Sequence, residues 1–281
     1  MDRATRRAAE QALHAAESAI VVEVASTQGS VPRERGARML VGKDFTAGTI
    51  GGGHLELQAL QAARDILAGG ETIAQVQAVA LGPTLGQCCG GALTLRFERL
   101  DAEALARWPL SPPLLRLQLY GAGHVGRAIA RLLATLDVEV DWIDEREAEF
   151  PPMQEGGAPW PAHIRRHCVD AVEAEVRVAP PRSHYLVLTH SHDLDLRIAE
   201  AILRRGDFAF FGLIGSKTKR ARFVHRLEAR GIAPELVARM TCPIGVEGVT
   251  GKSPEIVAVA AVAQLLQTAA AVTAPAARES R

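Results

Sequence analysis

The sequence predicts an α/β protein in two parts: a smaller N-terminal α/β domain and a C-terminal domain built on a parallel sheet. Three observations carry that reading. Leu114 to Glu145 runs as strand, glycine turn, helix and second strand, the opening unit of a dinucleotide-binding sheet. The strand-then-helix unit recurs at His184 to Arg205 and at Phe208 to Arg230, as a sheet with helices on its faces requires. Between Leu100 and Pro113 the composition shifts, with Pro109, Pro112 and Pro113 beside Trp108 and Ser111, which reads as a linker. The expected organisation is therefore a domain over 1–100, a Pro-rich linker over 101–113 and a second domain over 114–281. A chain of 281 residues is long enough to give each domain its own core.

In the first domain an alanine-rich helix is expected from Ala4 to Ser18 and a strand from Ala19 to Ser26. Pro32 and Gly36 make Gln28 to Gly36 a loop, which carries Ser30, Arg33, Glu34 and Arg35 to a second strand, Ala37 to Val41. A short strand, Ala47 to Ile50, then meets Gly51, Gly52 and Gly53, and His54 opens a helix from Leu55 to Leu67. Three glycines before a helix expose successive backbone N–H groups, so this turn is expected to be an anion nest with His54 and Glu56 at its mouth. After a strand from Ala74 to Leu81, Cys88 and Cys89 stand among Gly86, Gly90 and Gly91, ahead of a strand from Ala92 to Arg99. Adjacent cysteines lack the C-x-x-C spacing of a zinc or redox pair. With little to pack against in a glycine frame, they are expected to present a thiolate to a ligand.

In the second domain the strand Leu114 to Tyr120 stops at Gly121-Ala122-Gly123-His124-Val125-Gly126, which fits G-x-G-x-x-G. Gly121 lets the chain turn, Gly123 lets a diphosphate approach the backbone, and Gly126 lets the helix Val125 to Leu136 lie close to the strand. The next strand, Val138 to Ile143, delivers Asp144 where a ribose hydroxyl would be held. A strand from His184 to Thr189 ends in His190-Ser191-His192-Asp193-Leu194-Asp195, at the strand end where ligands bind in such sheets. The order of those residues does not fit the H-x-H-x-D-H pattern of metallo-hydrolases, which leaves a hydrogen-bonding hinge or a ligand site. Ser216 and Lys217 follow the strand Phe208 to Ile214 and open a helix, Thr218 to Arg230, whose first turns also carry Lys219, Arg220 and Arg222. Cations there oppose the helix dipole unless an anion shares the charge, so an anion site is expected. Gly251-Lys252-Ser253 lacks the leading glycine of a phosphate loop; Ser253 and Pro254 read as the cap and first residue of a last helix.

Composition excludes several classes. The 32 basic and 32 acidic side chains cancel, leaving no global field for nucleic acid or an anionic membrane. Four cysteines are too few for a disulfide framework, which fits a reduced, cytoplasmic protein. The N-terminus has no apolar run behind its basic residues, and the apolar stretch Ile256 to Ala274 is broken by Gln264, Gln267 and Thr268. Neither a secretory signal nor a membrane span is expected.

Seven motifs in order, GSVPRERGARMLV, GTIGGGHLE, GPTLGQCCGG, LYGAGHVGRAIA, THSHDLD, GLIGSKTKR and PIG-to-GKSPEIV, resemble the XdhC/CoxI family of xanthine dehydrogenase accessory proteins. The resemblance runs from about Gln28 to Leu266 and implies a Rossmann-like C-terminal domain. It further implies a non-enzymatic chaperone that binds the molybdenum cofactor (molybdopterin), protects it, supports its sulfuration with a cysteine desulfurase and inserts it into apo-xanthine dehydrogenase or a related molybdenum hydroxylase. Self-association is common in the group. On this reading Cys88 or Cys89 lies near molybdenum, Gly51 to Gly53 and Lys217 near a phosphate, and Gly121, Gly123, His124 and Gly126 at a nucleotide or the pterin, with Asp144, His190, His192 and Ser216 around them. The competing class is an NAD(P)-dependent oxidoreductase with Asp144 on the ribose and His190 or His192 as acid/base.

Overall fold

The computed structural model describes residues 3–69, 75–81, 91–108 and 112–273. Cys88 and Cys89 lie outside them. The chain forms two compact units, Met1–Ser111 and Pro112–Arg281.

The first unit is an antiparallel sheet between helices. Helix α1 (Arg3–His14) leads into β1 (Ala19–Gln28), β2 (Arg38–Gly42), β3 (Thr46–Gly48), helix α2 (Gly53–Gly69), β4 (Gln75–Ala80) and β5 (Ala92–Arg99), in the sheet order β3-β2-β1-β5-β4. Strand β1 is central and buried on both faces. Ile20, Val22 and Val24 face Leu55, Ala59 and Ala63 of α2, while Ala19 and Val21 face Ala9 and Ala12 of α1. This two-sided burial explains why its start, AIVV, is an unbroken apolar run rather than an alternating one. Glu23 is the exception on β1; its buried carboxylate sits between the guanidinium groups of Arg38, at 2.9 Å, and Arg96.

The stretch read as linker opens with structure of its own. Helix α3 (Ala102–Ala106) is capped by the Asp101 carboxylate, which accepts the Ala104 N–H at 2.6 Å. Trp108 is only 2 % exposed and packs with the α1 cluster. Arg6 donates to the carbonyls of Leu105 and Trp108 at 3.1 and 2.7 Å. An indole surrounded by prolines looked like a loop residue, but its large apolar surface is better buried than exposed.

The second unit is a six-stranded parallel sheet: β6 (Arg116–Tyr120), β7 (Glu139–Asp144), β8 (Ile164–Cys168), β9 (His184–Val187), β10 (Phe210–Leu213) and β11 (Met240–Thr241), ordered β11-β10-β9-β6-β7-β8. Helices α4 (His124–Leu133), α5 (His192–Arg205), α6 (Lys217–Ala229), α7 (Pro234–Ala238) and α8 (Pro254–Thr273) connect and follow the strands. Leu117, Leu119 and Leu186 point to one face and meet Ile129 and Leu133 of α4 and Ala258, Ala261 and Leu265 of α8. Tyr120, Val187 and Leu213 point to the other and meet Ile198 and Ile202 of α5 and Phe223 and Leu227 of α6. Both faces of the sheet are covered, so this is a doubly wound Rossmann sheet. No helix among the described residues is long and apolar enough to cross a membrane.

His184 begins β9 with 3 % exposure, and burial pushes its pKa down to about 4. The unfolded chain, with a histidine near its ordinary value of about 6.5, therefore takes up the proton first on acidification. Stability attributable to this residue should fall as pH drops from about 6.5 to about 4 and then level off. Thermal unfolding at pH 7 and at pH 4.5 checks this: the drop in midpoint should be smaller for His184→Leu than for the wild type, and an equal drop would disprove it.

Candidate functional site

The direction of strand addition reverses between β6 and β9, since the chain moves outward through β7 and β8 and then returns to build β9, β10 and β11 on the other side. The carboxyl ends of these two strands form the crevice where a sheet of this kind takes its ligand. They carry Gly121 to Gly126 and Thr189 to His192.

The three fingerprint glycines serve different ends. A Cβ on Gly126 would lie 2.0 Å from the Gly121 carbonyl oxygen, and one on Gly121, whose φ is +117°, would lie 2.4 Å from that of Leu188. Both are required by packing. Around Gly123 nothing lies within 4 Å of the corresponding position, and no side chain caps the helix it starts. Its face and the N-terminus of α4 are thus open, with His124 exposed beside them. The loop is held from below by the Trp142 indole, which donates to the Gly121 carbonyl at 2.9 Å.

Asp144 does not wait for a ribose. Its Oδ2 accepts the Ala122 N–H at 2.7 Å and the Arg146 guanidinium at 2.9 Å; its Oδ1 accepts the Arg146 backbone N–H at 3.0 Å and Nε at 2.9 Å. Burial pushes the carboxyl up, but the bonds from Arg146 and Ala122 outweigh it and hold the pKa below the ordinary value. Each oxygen already has two donors, so the expected ribose contact is replaced by a clamp on the glycine loop. Arg146, two residues past the strand, is the residue that the sequence reading passed over.

The H-S-H-D-L-D cluster divides in the same way. Asp195 is fully buried; it accepts the Thr189 N–H and hydroxyl at 3.0 and 2.7 Å and the Lys219 ammonium at 2.6 Å. Lys219 also donates to the Ile214 carbonyl at 2.8 Å, and Arg220 to that of Met240 at 2.6 Å. Two of the cations expected to wait for an anion at the start of α6 are therefore spent inside the fold. His190 reaches back to Glu145 at 3.4 Å, from the end of β9 to the residue after β7. His192 and Ser216, with Arg222 and His225 of α6, line a cavity of about 630 Å³ between the starts of α5 and α6. Lys217 is exposed and is not among the lining residues. Among the described residues no group of three or more His, Cys, Asp or Glu side chains could hold a metal ion.

The first unit corrects the expected anion nest. Gly51, Gly52 and Gly53 do adopt φ of +132°, +73° and +62°. The N–H groups of Ile50 and Gly52, however, both donate to Glu56 Oε2 at 3.1 Å, and the Thr49 hydroxyl donates to the same oxygen. The nest is filled by a carboxylate of the helix it precedes, and His54 pairs locally with Gln58 at 3.1 Å. The same corner gathers the other glycine loops. A Cβ on Gly51 would lie 2.6 Å from Pro32, and one on Gly91 would lie 2.4 Å from the Ser30 carbonyl. The Leu81 N–H donates to the Gly91 carbonyl at 2.8 Å, which ties the end of β4 to the residue before β5.

Comparison with known proteins accords with both units. Residues 117–265, over half of the chain, match the XdhC Rossmann domain. The chain belongs to the XdhC family. Residues 12–77 of this XdhC-family chain match the XdhC and CoxI family as well. It is 30 % identical over 256 residues to the uncharacterized protein YqeB of Escherichia coli (strain K12), covering 88 % of this chain and 43 % of that one. The chain thus spans less than half the length of that curated relative. A crystal structure of a protein from Bacillus halodurans described as a xanthine dehydrogenase shares the fold, with a TM-score of 0.73 over 98 % of each chain at 17 % identity.

The glycines can be told apart by substitution. Gly126→Ala should destabilise the second unit by about 2 kcal/mol or more through the clash with Gly121, whereas Gly123→Ala should leave the unfolding midpoint unchanged. Equal destabilisation by the two would disprove the division of roles. In the first unit Glu56→Ala should cost about 1–2 kcal/mol by stranding the N–H groups of Ile50 and Gly52, as read in urea unfolding.

Proposed function

We propose that this XdhC-family chain is an accessory protein that binds the molybdenum cofactor, shields it, supports its sulfuration and delivers it to apo-xanthine dehydrogenase or a related molybdenum hydroxylase. A cysteine desulfurase and a second copy of the chain are the other partners this reading calls for, and a cytoplasmic location goes with it. The single observation that carries it is the family membership joined to a crevice whose one uncapped, sterically open glycine is Gly123.

The chemistry of the donors fits that group. Molybdopterin ends in a phosphate, and the open backbone at Gly123 with the N-terminus of α4 would hold it by N–H donation. Bound cofactor would supply a molybdenum centre, for which thiolates are suitable soft ligands. Cys88 and Cys89, which lie outside the described residues, would provide them. Gly51 to Gly53 are not assigned to the phosphate, because the Gly52 N–H already meets Glu56 and the Gly51 N–H the Thr49 hydroxyl.

The oxidoreductase reading loses its main support at Asp144, whose lone pairs are all committed to Arg146 and Ala122. A ribose diol would have to displace a two-point guanidinium contact before it could bind.

The test is to purify the full chain from molybdate-replete cells, oxidise it, and measure released fluorescent pterin and molybdenum per chain, beside Cys88→Ser/Cys89→Ser and Gly123→Val forms. Near-stoichiometric pterin in the wild type is expected, with loss of molybdenum in the cysteine variant and of pterin in the glycine variant. Absence of pterin even after addition of free cofactor, together with binding of NAD(P), would overturn the proposal in favour of the oxidoreductase.

A further inference from the structure

The cavity between α5 and α6 lies at the ends of β9 and β10 and does not include the glycine loop among its lining residues. Its charges do not cancel within the fold. Three acids of the adjoining segments are engaged: Asp195 with Lys219, Asp193 with Arg226 at 3.2 Å, and Glu145 with His190. Thr218, Arg222 and His225, spaced by four and three residues, share one face of α6 and line the cavity together. Arg222 and His225 make no hydrogen bond or ion pair to any described residue. Below them Lys219, with a side chain only 11 % exposed, spends two N–H donors on Asp195 and Ile214 and stands 5.3 Å from the Phe223 ring centre. The first turn of α6 holds no acid that could pair with the cations near it. Ile214 and Phe223 contribute apolar wall.

We infer that this cavity binds a small organic phosphate, separately from any ligand at Gly123. The Arg222 guanidinium and two imidazoles, His192 from α5 and His225 from α6, line it together. Donors from two helices can meet several oxygens of a phosphate at once, with the guanidinium fork taking two of them. The apolar wall supplies the place for the organic part, and about 630 Å³ falls within the size range of small-molecule sites. The site stands independently of the cofactor reading, since none of its contacts uses the glycine loop or the cysteines.

The test is a phosphorus NMR titration of the full chain with inorganic phosphate and with phenyl phosphate, repeated on Arg222→Gln/His225→Asn and on Gly123→Val. Both substituted α6 residues are exposed, so folding should be retained, as unchanged circular dichroism and unfolding midpoint would verify. Phenyl phosphate should bind more tightly than inorganic phosphate. The α6 double variant should weaken both by about tenfold or more, and Gly123→Val should leave the α6-dependent binding unchanged. No binding of either probe, full affinity in the α6 double variant, or loss confined to Gly123→Val would each overturn the inference. Equal affinity for the two probes would overturn its organic half. Pterin content is measured on the Gly123 and cysteine variants, so failure of the cofactor proposal is seen separately.

Discussion

The buried pair of Asp195 and Lys219 is the contact on which the working edge of the second unit depends. It joins two loops and two helices at once: the end of β9 through Thr189, the end of β10 through Ile214, and α5 to α6 through the charges themselves. Burying an ion pair is costly, and attraction alone rarely covers the desolvation. Here each partner has a further hydrogen bond, Asp195 from Thr189 and Lys219 to the Ile214 carbonyl. The return is geometric. Two helix starts that would otherwise be set by loops are tied together, and Lys219 of the pair lines the cavity between them.

The same device appears at three places, in three sequence contexts. Glu56 fills the turn of Gly51 to Gly53, Asp144 clamps the loop of Gly121 to Gly126, and Asp195 neutralises the cation at the start of α6. In each case N–H groups or cations that look available to a ligand are satisfied by a carboxylate of the chain itself. What remains unsatisfied is then more informative than the motif: the face of Gly123, and Arg222 with His225.

This explains how far the residues alone could carry the reading. The doubly wound sheet was legible because strand, turn, helix and acid recur in a fixed order, and because a strand buried on both faces has no alternation to hide it. The glycine fingerprint was legible as a turn, but its pattern cannot distinguish Gly123, which faces open space, from Gly126, which a carbonyl oxygen crowds. Asp144 lay at the distance a ribose acid should lie; its capture by Arg146 depends on a side chain folding back over two residues, and spacing does not encode that. Trp108 was misjudged because its neighbours are prolines, while its burial is decided by α1, far away in sequence. The periodicity of Thr218, Arg222 and His225 on α6 was present in the sequence, but only the cavity showed that this face has something to line.

The packing behind α4 has a mechanical consequence. Ala258 and Ala261 let α8 lie against α4, while Gly126 lets α4 lie against the loop that precedes it, so the helix is braced on two sides by contacts with no slack. Close-packed contacts of this kind yield little before they clash. The two walls of the crevice are therefore unequal in compliance. The α4 wall acts as a fixed reference, and a bulky guest is accommodated by the His190 side chain, which can turn away from Glu145 while the backbone at Thr189 stays tied to Asp195.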